Sequence, residues 1–452
     1  MKRLSGGLVL AMITMYPATF FGQSKVLTLS EAKAMALERN LSVVQADNNV
    51  NSAQGSVLAA YGSYLPTLSA SATAERYQSQ RPASQPVYFN GIPISSGSSG
   101  LTVQNQFTTN VSVNYLLFDG LNREGQFNRA KMNAVSTEHV GQRTRQSVIY
   151  QVESDYLNVL RNQQLVSVNE ENLKRDNRQL ERIVESNKVG AAAIADVYRQ
   201  QSTVAADELA VITAQNNYDG AKADLLALVG LNAGEDYTIT DSTVSTVVTK
   251  ADIDSTTKAY SDIAALSQRA MDARPDYLSA NEQLSAAESG VTSARSGYFP
   301  SISAFAGWGL GPATELNTIG DYRGLNWGLQ LRWNLFDAFQ TNQSLQSALT
   351  QQRNAQVNLS QTQLNIMVDV KKALLNLDAA RKQYQVSQDG VRSATEDRKI
   401  AEEKYNLGAG TLLDLLTASA NLVNAQANLV NASYNYLISK KNVEYVIGEH
   451  QY

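Results

Sequence analysis

Few side chains in this sequence of 452 residues could do chemistry, and their spacing keeps them apart. No cysteine is present, so a thiolate nucleophile, a thiolate metal site, a disulfide and a lipid-bearing cysteine are all excluded. The two histidines, His139 and His450, are far apart and lack partners by spacing, so both are expected at the surface. Asp196 and Asp414 are carboxylates that could attract cations or repel one another if brought together, but no convergent constellation accompanies them. Gly307-Trp308-Gly309-Leu310-Gly311 has the glycines of a nucleotide loop, yet it meets Pro312 instead of opening a helix. Glu170-Glu171 reads as a solvated helix face. No catalytic activity, cofactor or metal is expected. The net charge of −4 is close to neutral for this length and argues against nucleic acid as a partner.

The elements around these residues are more informative. Lys2 and Arg3, the short apolar run Leu8–Met15 and the small or polar Gly22-Gln23-Ser24 form an export signal over residues 1–24. No later stretch approaches the roughly 18 consecutive apolar residues of a spanning helix. If the exported chain enters a membrane, it does so through strands. Leu325–Asp337 is the clearest candidate. Leu325, Trp327, Leu329, Leu331, Trp333 and Leu335 alternate with Asn326, Gly328, Gln330, Arg332 and Asn334. That period of two over about eleven residues suits a tilted strand with one apolar and one wet face.

The chain repeats itself. Leu117-Phe118-Asp119-Gly120 recurs as Leu335-Phe336-Asp337-Ala338, 218 residues on. Val189-Gly190-Ala191 and Asp196 recur as Leu407-Gly408-Ala409 and Asp414 at the same offset. Tyr64-Leu65-Pro66 recurs as Tyr298-Phe299-Pro300 at an offset of 234, so the first copy carries an insertion, assigned to a Pro-, Gly- and Ser-rich loop within Gln78–Gly100. Each copy reads as helix, strand, loop, strand, helix, turn, helix. From Leu121 to Val189 one helix of ~100 Å is possible at 1.5 Å per residue. Apolar residues step by seven through Val197, Val204, Val211, Tyr218 and Leu225, and again through Leu415, Leu422, Leu429, Tyr436 and Val443. Such a step marks coiled-coil packing. Four strands cannot close a membrane barrel, and an open edge is not tolerated in lipid. Two copies would give a barrel filled by side chains and three would leave a lumen, so the expectation is a homotrimer with a twelve-stranded β-barrel and an α-helical extension.

With these motifs in place, the sequence resembles the TolC-like outer-membrane efflux proteins over essentially the whole mature chain. The resemblance rests on the Tyr-Leu-Pro and Tyr-Phe-Pro motifs before the strands, the two Leu-Phe-Asp exits, the turns KVGAAAIADV and YNLGAGTLLDLL, and the final NASYNYLISKKNVEYVIG. It implies a mainly α chain with β: tandem repeats over residues 25–230 and 262–448, a linker with an equatorial role over 231–261, and a tail over 449–452. It implies a channel-tunnel in a Gram-negative outer membrane, in contact with its lipid, with a periplasmic extension that docks to an adaptor protein and an inner-membrane pump. Small molecules or polypeptides would pass through it. The tips Val189, Gly190, Ala191, Leu407, Gly408, Ala409 and Gly410 would face the adaptor. Asp414, with Asp196 and Thr417, would line the periplasmic aperture. Thr417 and Gly410 stand where the best-known relative carries an aspartate and an arginine, so the closed state here would be less charged. On the last strand, Trp327, Leu329, Leu331 and Trp333 would face lipid, and Gln330 and Arg332 the lumen. The competing expectation is a trimeric coiled-coil surface stalk or adhesin without channel activity.

Overall fold

The computed structural model describes residues 25–81, 84–97, 100–240, 248–321 and 323–449. The export signal, residues 241–247 of the linker, His450 and the last two residues lie outside the described residues. In chain order the elements are β1 (Lys25–Leu27), α1 (Leu29–Arg39), α2 (Leu41–Gly62), β2 (Thr67–Arg81), β3 (Ser84–Phe89), β4 (Ile92–Gly97), β5 (Gly100–Phe118), α3 (Asn122–Lys188) and α4 (Ile194–Val229). They continue as β6 (Tyr237–Ile239), α5 (Lys250–Ala259), α6 (Ile263–Ala273), α7 (Pro275–Arg295), β7 (Ser301–Ala313), β8 (Arg323–Arg332), α8 (Gln340–Asn406) and α9 (Leu412–Val446). The duplication is visible in the register of the helices. Both α3 and α8 have 67 residues, and α8 and α9 begin 218 residues after α3 and α4. None of the described helices is long and apolar enough to cross a membrane.

Contacts divide the chain into two compact units, each drawing on both repeats. Among the described residues the first comprises 25–40, 151–240, 248–253 and 379–441. Its two-stranded parallel sheet pairs β1 with β6, Val26 opposite Thr238. The hydroxyl of buried Tyr156 donates to the Leu27 carbonyl at 3.1 Å, and that of buried Tyr384 to Val248 at 2.9 Å. The residues stepping by seven lie inward: Val197, Val204, Leu225, Leu415, Leu422 and Tyr436 are buried, and Val211, Tyr218 and Leu429 half-buried.

The second unit comprises, among the described residues, 41–81, 84–97, 100–150, 254–321, 323–378 and 442–449. It holds an antiparallel sheet in the order β2-β5-β7-β8, with β2 and β8 at its edges. The register puts the apolar residues on one face. Leu68 and Ala70 lie opposite Val113 and Val111, which meet Ala306 and Trp308, which meet Trp327 and Leu325. Leu329 and Leu331 extend this face opposite Ala304 and Ile302. The other face carries Ser69, Ser71, Ser112, Asn110, Asn326 and Gln330. There the Ser69 and Ser112 hydroxyls are 2.8 Å apart, and Phe305 covers the side-chain gap at Gly328.

Two expectations are corrected. Trp333 is not on the last strand. Pairing stops at Arg332 opposite Ser301, because the preceding partner residue is Pro300, which has no N–H for the ladder. The Trp333 indole instead donates to the Tyr298 carbonyl at 3.3 Å. The insertion in the first copy is not an irregular loop. It lengthens β2 and β5 and carries the ribbon β3–β4, turned at Asn90-Gly91 with both residues at positive φ. Asn-Gly is the pair that such a turn demands.

The repeated Leu-Phe-Asp motif is a strand-to-helix switch. After each aspartate two residues have positive φ, Gly120 and Leu121 in one copy and Ala338 and Phe339 in the other. The aspartate then caps the long helix. Asp119 accepts from the Arg123 amide at 2.9 Å, and Asp337 from the Thr341 amide at 2.8 Å. Asp119 also pairs with the mostly buried Arg123 guanidinium at 3.4 Å. Replacing Asp119 with alanine removes the cap and the carboxylate beside that guanidinium, which keeps only its bond to the Leu117 carbonyl and its place over the Tyr64 ring. We predict a loss of about 1–2 kcal/mol, smaller for Asp119→Asn, read as faster amide exchange over the first turns of α3.

Candidate functional site

The two turns between long helices close in the same way. At the end of α3 the Gly190 amide donates to the Asn187 carbonyl at 2.9 Å, and the Ala191 amide to Ser186 at 2.8 Å. At the end of α8 the Gly408 amide donates to Tyr405 at 3.0 Å, and the Ala409 amide to Lys404 at 2.9 Å. These are paired Schellman closures, with Gly190 and Gly408 at φ +77° and +71°. Val189 and Leu407, one residue earlier, are highly exposed apolar side chains. Behind the turns, Ile183 of α3, Val197 of α4 and Leu412 of α9 form a small buried cluster, with Leu180, Tyr405 and Leu416 packed against it. The cluster ties the first hairpin to the second within one protomer.

The repeat-related aspartates differ in their surroundings. Asp414 completes a capping box with Thr411. Its carboxylate accepts from the Thr411 amide at 3.1 Å and hydroxyl at 2.7 Å, and its own amide donates to that hydroxyl at 3.1 Å. These bonds from Thr411 hold the Asp414 carboxyl below the usual carboxylate range. Asp196 has no such cap, because Ala193 stands at the capping position. It is instead paired with Arg199 at 3.0 Å. The two carboxylates also line different grooves. Asp196 shares one with Ala191, Arg182, Tyr405, Gly408 and Gly410. Asp414 shares another with Thr417, Ala409, Gly410, Lys404 and Asp397. The Thr417 hydroxyl turns back to the Leu413 carbonyl at 2.8 Å.

Tyr405 was not singled out from the sequence. Burial raises its pKa, and the nearby charge of Asp196 adds to the shift. The available signal was the repeat itself, since Asn187 occupies the corresponding place in the first turn and gives its amide to the Ala192 carbonyl at 2.8 Å. The remaining sequence-derived positions, Gln330 and Arg332, lie on the sheet face opposite Trp327, Leu329 and Leu331.

The turns generate a prediction of opposite signs. A side chain at Gly408 meets open space, but the backbone there is left-handed, so Gly408→Ala destabilises the turn by about 1 kcal/mol. Gly55, inside α2 and also facing open space, gains about as much from the same change. Amide exchange around each position checks both.

The model of the outer membrane efflux protein family matches residues 34–231 and 266–449. The outer membrane efflux protein BepC of Brucella suis is 22% identical over 380 residues, 82% of this chain and 79% of that protein. The outer membrane protein TolC of Vibrio cholerae is 26% identical over 312 residues, 68% of each chain. Among solved structures, the outer membrane protein VceC of Vibrio cholerae superposes with a TM-score of 0.75 at 18% identity, covering 93% of this chain and 96% of that one. Two matched segments that coincide with the tandem repeats, helical hairpins and a shared strand sheet make this chain a member of the outer membrane efflux protein family, a channel of the bacterial outer membrane.

Proposed function

We propose that three copies of this chain form a channel-tunnel that receives cargo from an inner-membrane pump through a periplasmic adaptor and releases it outside the cell. The observation that carries the proposal is the β2-β5-β7-β8 sheet, with one continuous apolar face and edges at β2 and β8. Trp327, exposed over 78% of its surface, and Leu329 belong on lipid rather than water. Gln330 and Arg332, on the opposite face, then belong to the lumen. Three sheets of four strands close a barrel wide enough to conduct.

The tips Val189-Gly190-Ala191 and Leu407-Gly408-Ala409-Gly410 are the docking surface for the adaptor. Their exposed Val189 and Leu407 and the groove between the two hairpins favour an amphipathic helical hairpin as the docked element. Asp414 is the aperture residue, repeated three times around the axis. Its Thr411 bonds fix the carboxylate in its charged form, which suits a ring that attracts cations and holds the opening narrow by other contacts. Asp196, paired with Arg199 and set in the groove within the protomer, has a secondary role there, and Thr417 supplies no charge to the ring.

Purified protein in planar bilayers is expected to conduct in unitary steps, with larger steps for Asp414→Ala. A trimer that stays silent in both forms would point to a stalk. Single cysteines at Ala191 or Ala409, in a chain with no other cysteine, are expected to crosslink to an adaptor in cells. An absence of adducts from both would contradict the docking assignment.

A further inference from the structure

The first hairpin contains a polar cluster that the second lacks. Asn172 and Asp176 of α3 face Gln200 and Asp207 of α4. Asp176 is 7% exposed and Gln200 fully buried. The Asn172 amide donates to one Asp207 carboxyl oxygen at 2.8 Å. The other, Oδ2, is buried without a partner, and the Asp176 carboxyl is near enough to act on the half-buried Asp207 as a second acceptor. Gln200 gives its amide to the Asp176 carbonyl at 3.2 Å and leaves its own Oε1 buried without a partner. At the 218-residue offset the second repeat has Gly390, Ala394, Ala418 and Ala425 in these four places. Small residues pack two helices closely. Four polar side chains in the same positions weaken the hairpin unless every group is satisfied.

Two carboxyls at close range, set among groups withdrawn from water, cannot both be charged without a penalty, and one proton between them turns repulsion into a hydrogen bond. We propose that Asp176 and Asp207 share a proton across the α3–α4 hairpin, and that its loss loosens this hairpin while the second hairpin stays unchanged. Burial, then contact with Asp176, raises Asp207 to about 7, against the pull of Asn172 and Arg175. Arg175, the cation that acts on both carboxyls, is itself acted on by Glu171 on α3 and by Arg398 of α8. A second pair on the same helices, Asp155 with Asp224, leans in the same direction, Asp155 being raised by burial and by the Asp224 charge. Its counterparts in the second repeat are Ala373 and Asn442.

The sign follows from linkage. A carboxyl raised on folding contributes stability that is complete below its ordinary value of 3.8 and is lost as pH rises through about 7. The hairpin is therefore stiff under acid and loose under alkaline conditions. A consequence for opening would rest on the channel proposed above, but the property of the hairpin does not.

Hydrogen–deuterium exchange of the full-length protein in detergent tests this, with rates corrected for the intrinsic pH dependence of amide exchange. Protection over residues 170–182 and 200–212 is expected to fall about tenfold or more between about pH 5.5 and pH 8, one unit of proton linkage. Asp207→Asn, which replaces the shared proton with an amide donor, is expected to keep high protection at both values. Asp176→Asn should do the same, and is the second variant should the first fail to fold. Infrared spectra near pH 6 should show a protonated carboxyl band that Asp207→Asn lacks. Equal protection of the wild-type hairpin at both pH values would overturn the proposal. So would an undiminished response in Asp207→Asn, and its loss in Asp155→Asn would then assign the effect to the second pair.

Discussion

The structure depends on what pairs with the outer edges of β2 and β8. A strand edge exposes a row of amide and carbonyl groups, and in hydrocarbon each unpaired group costs several kcal/mol. The sheet's apolar face, from Leu68 through Trp308 to Leu331, draws it towards that environment. The face and the edges therefore make conflicting demands on a single chain. The closure with other copies proposed above would resolve the conflict through the free edges of β2 and β8, of which β2, at 15 residues, is the longer.

Helices attached to such a sheet must start at defined points, and the Leu-Phe-Asp motif fixes them. Two left-handed residues turn the chain and a carboxylate caps the first turn, in both copies at the same offset. From those starts, 67 residues run to turns that close by the same pair of backbone bonds. Because the lengths match, the two tips fall in equivalent places and can be joined by Ile183, Val197 and Leu412. Within that shared frame the repeats have diverged in chemistry. The first hairpin has acidic and amide groups where the second has glycine and alanine, and Asp414 is capped where Asp196 is ion-paired.

Periodic features were legible in the sequence. The 218-residue offset, the steps of seven and the alternation of Leu325–Leu331 follow from backbone geometry repeated many times, and each reappears in the structure. Features set by a single partner were not. Trp333 continues the alternation in sequence, but its strand ends because Pro300 lies across from it. The Asn90-Gly91 ribbon was hidden by its Pro- and Ser-rich surroundings. The setting of Tyr405 and the Asn172–Asp207 bond arise where helices distant in sequence, or the two arms of a hairpin, meet at one level, which spacing along one helix does not reveal. The equivalence of Asp196 and Asp414 held for position and failed for surroundings, since one residue, Ala193 against Thr411, decides the cap.

The absence of cysteine allows the central claim to be tested directly. Cysteines placed one at a time along β2 and β8 and combined pairwise should, on oxidation in the membrane, link the β2 of one copy to the β8 of the next. Closure by three copies predicts covalent species of two and three chains, and none larger, at one register of the scan. A scan without intermolecular bonds, or one giving an open ladder of larger species, would contradict it.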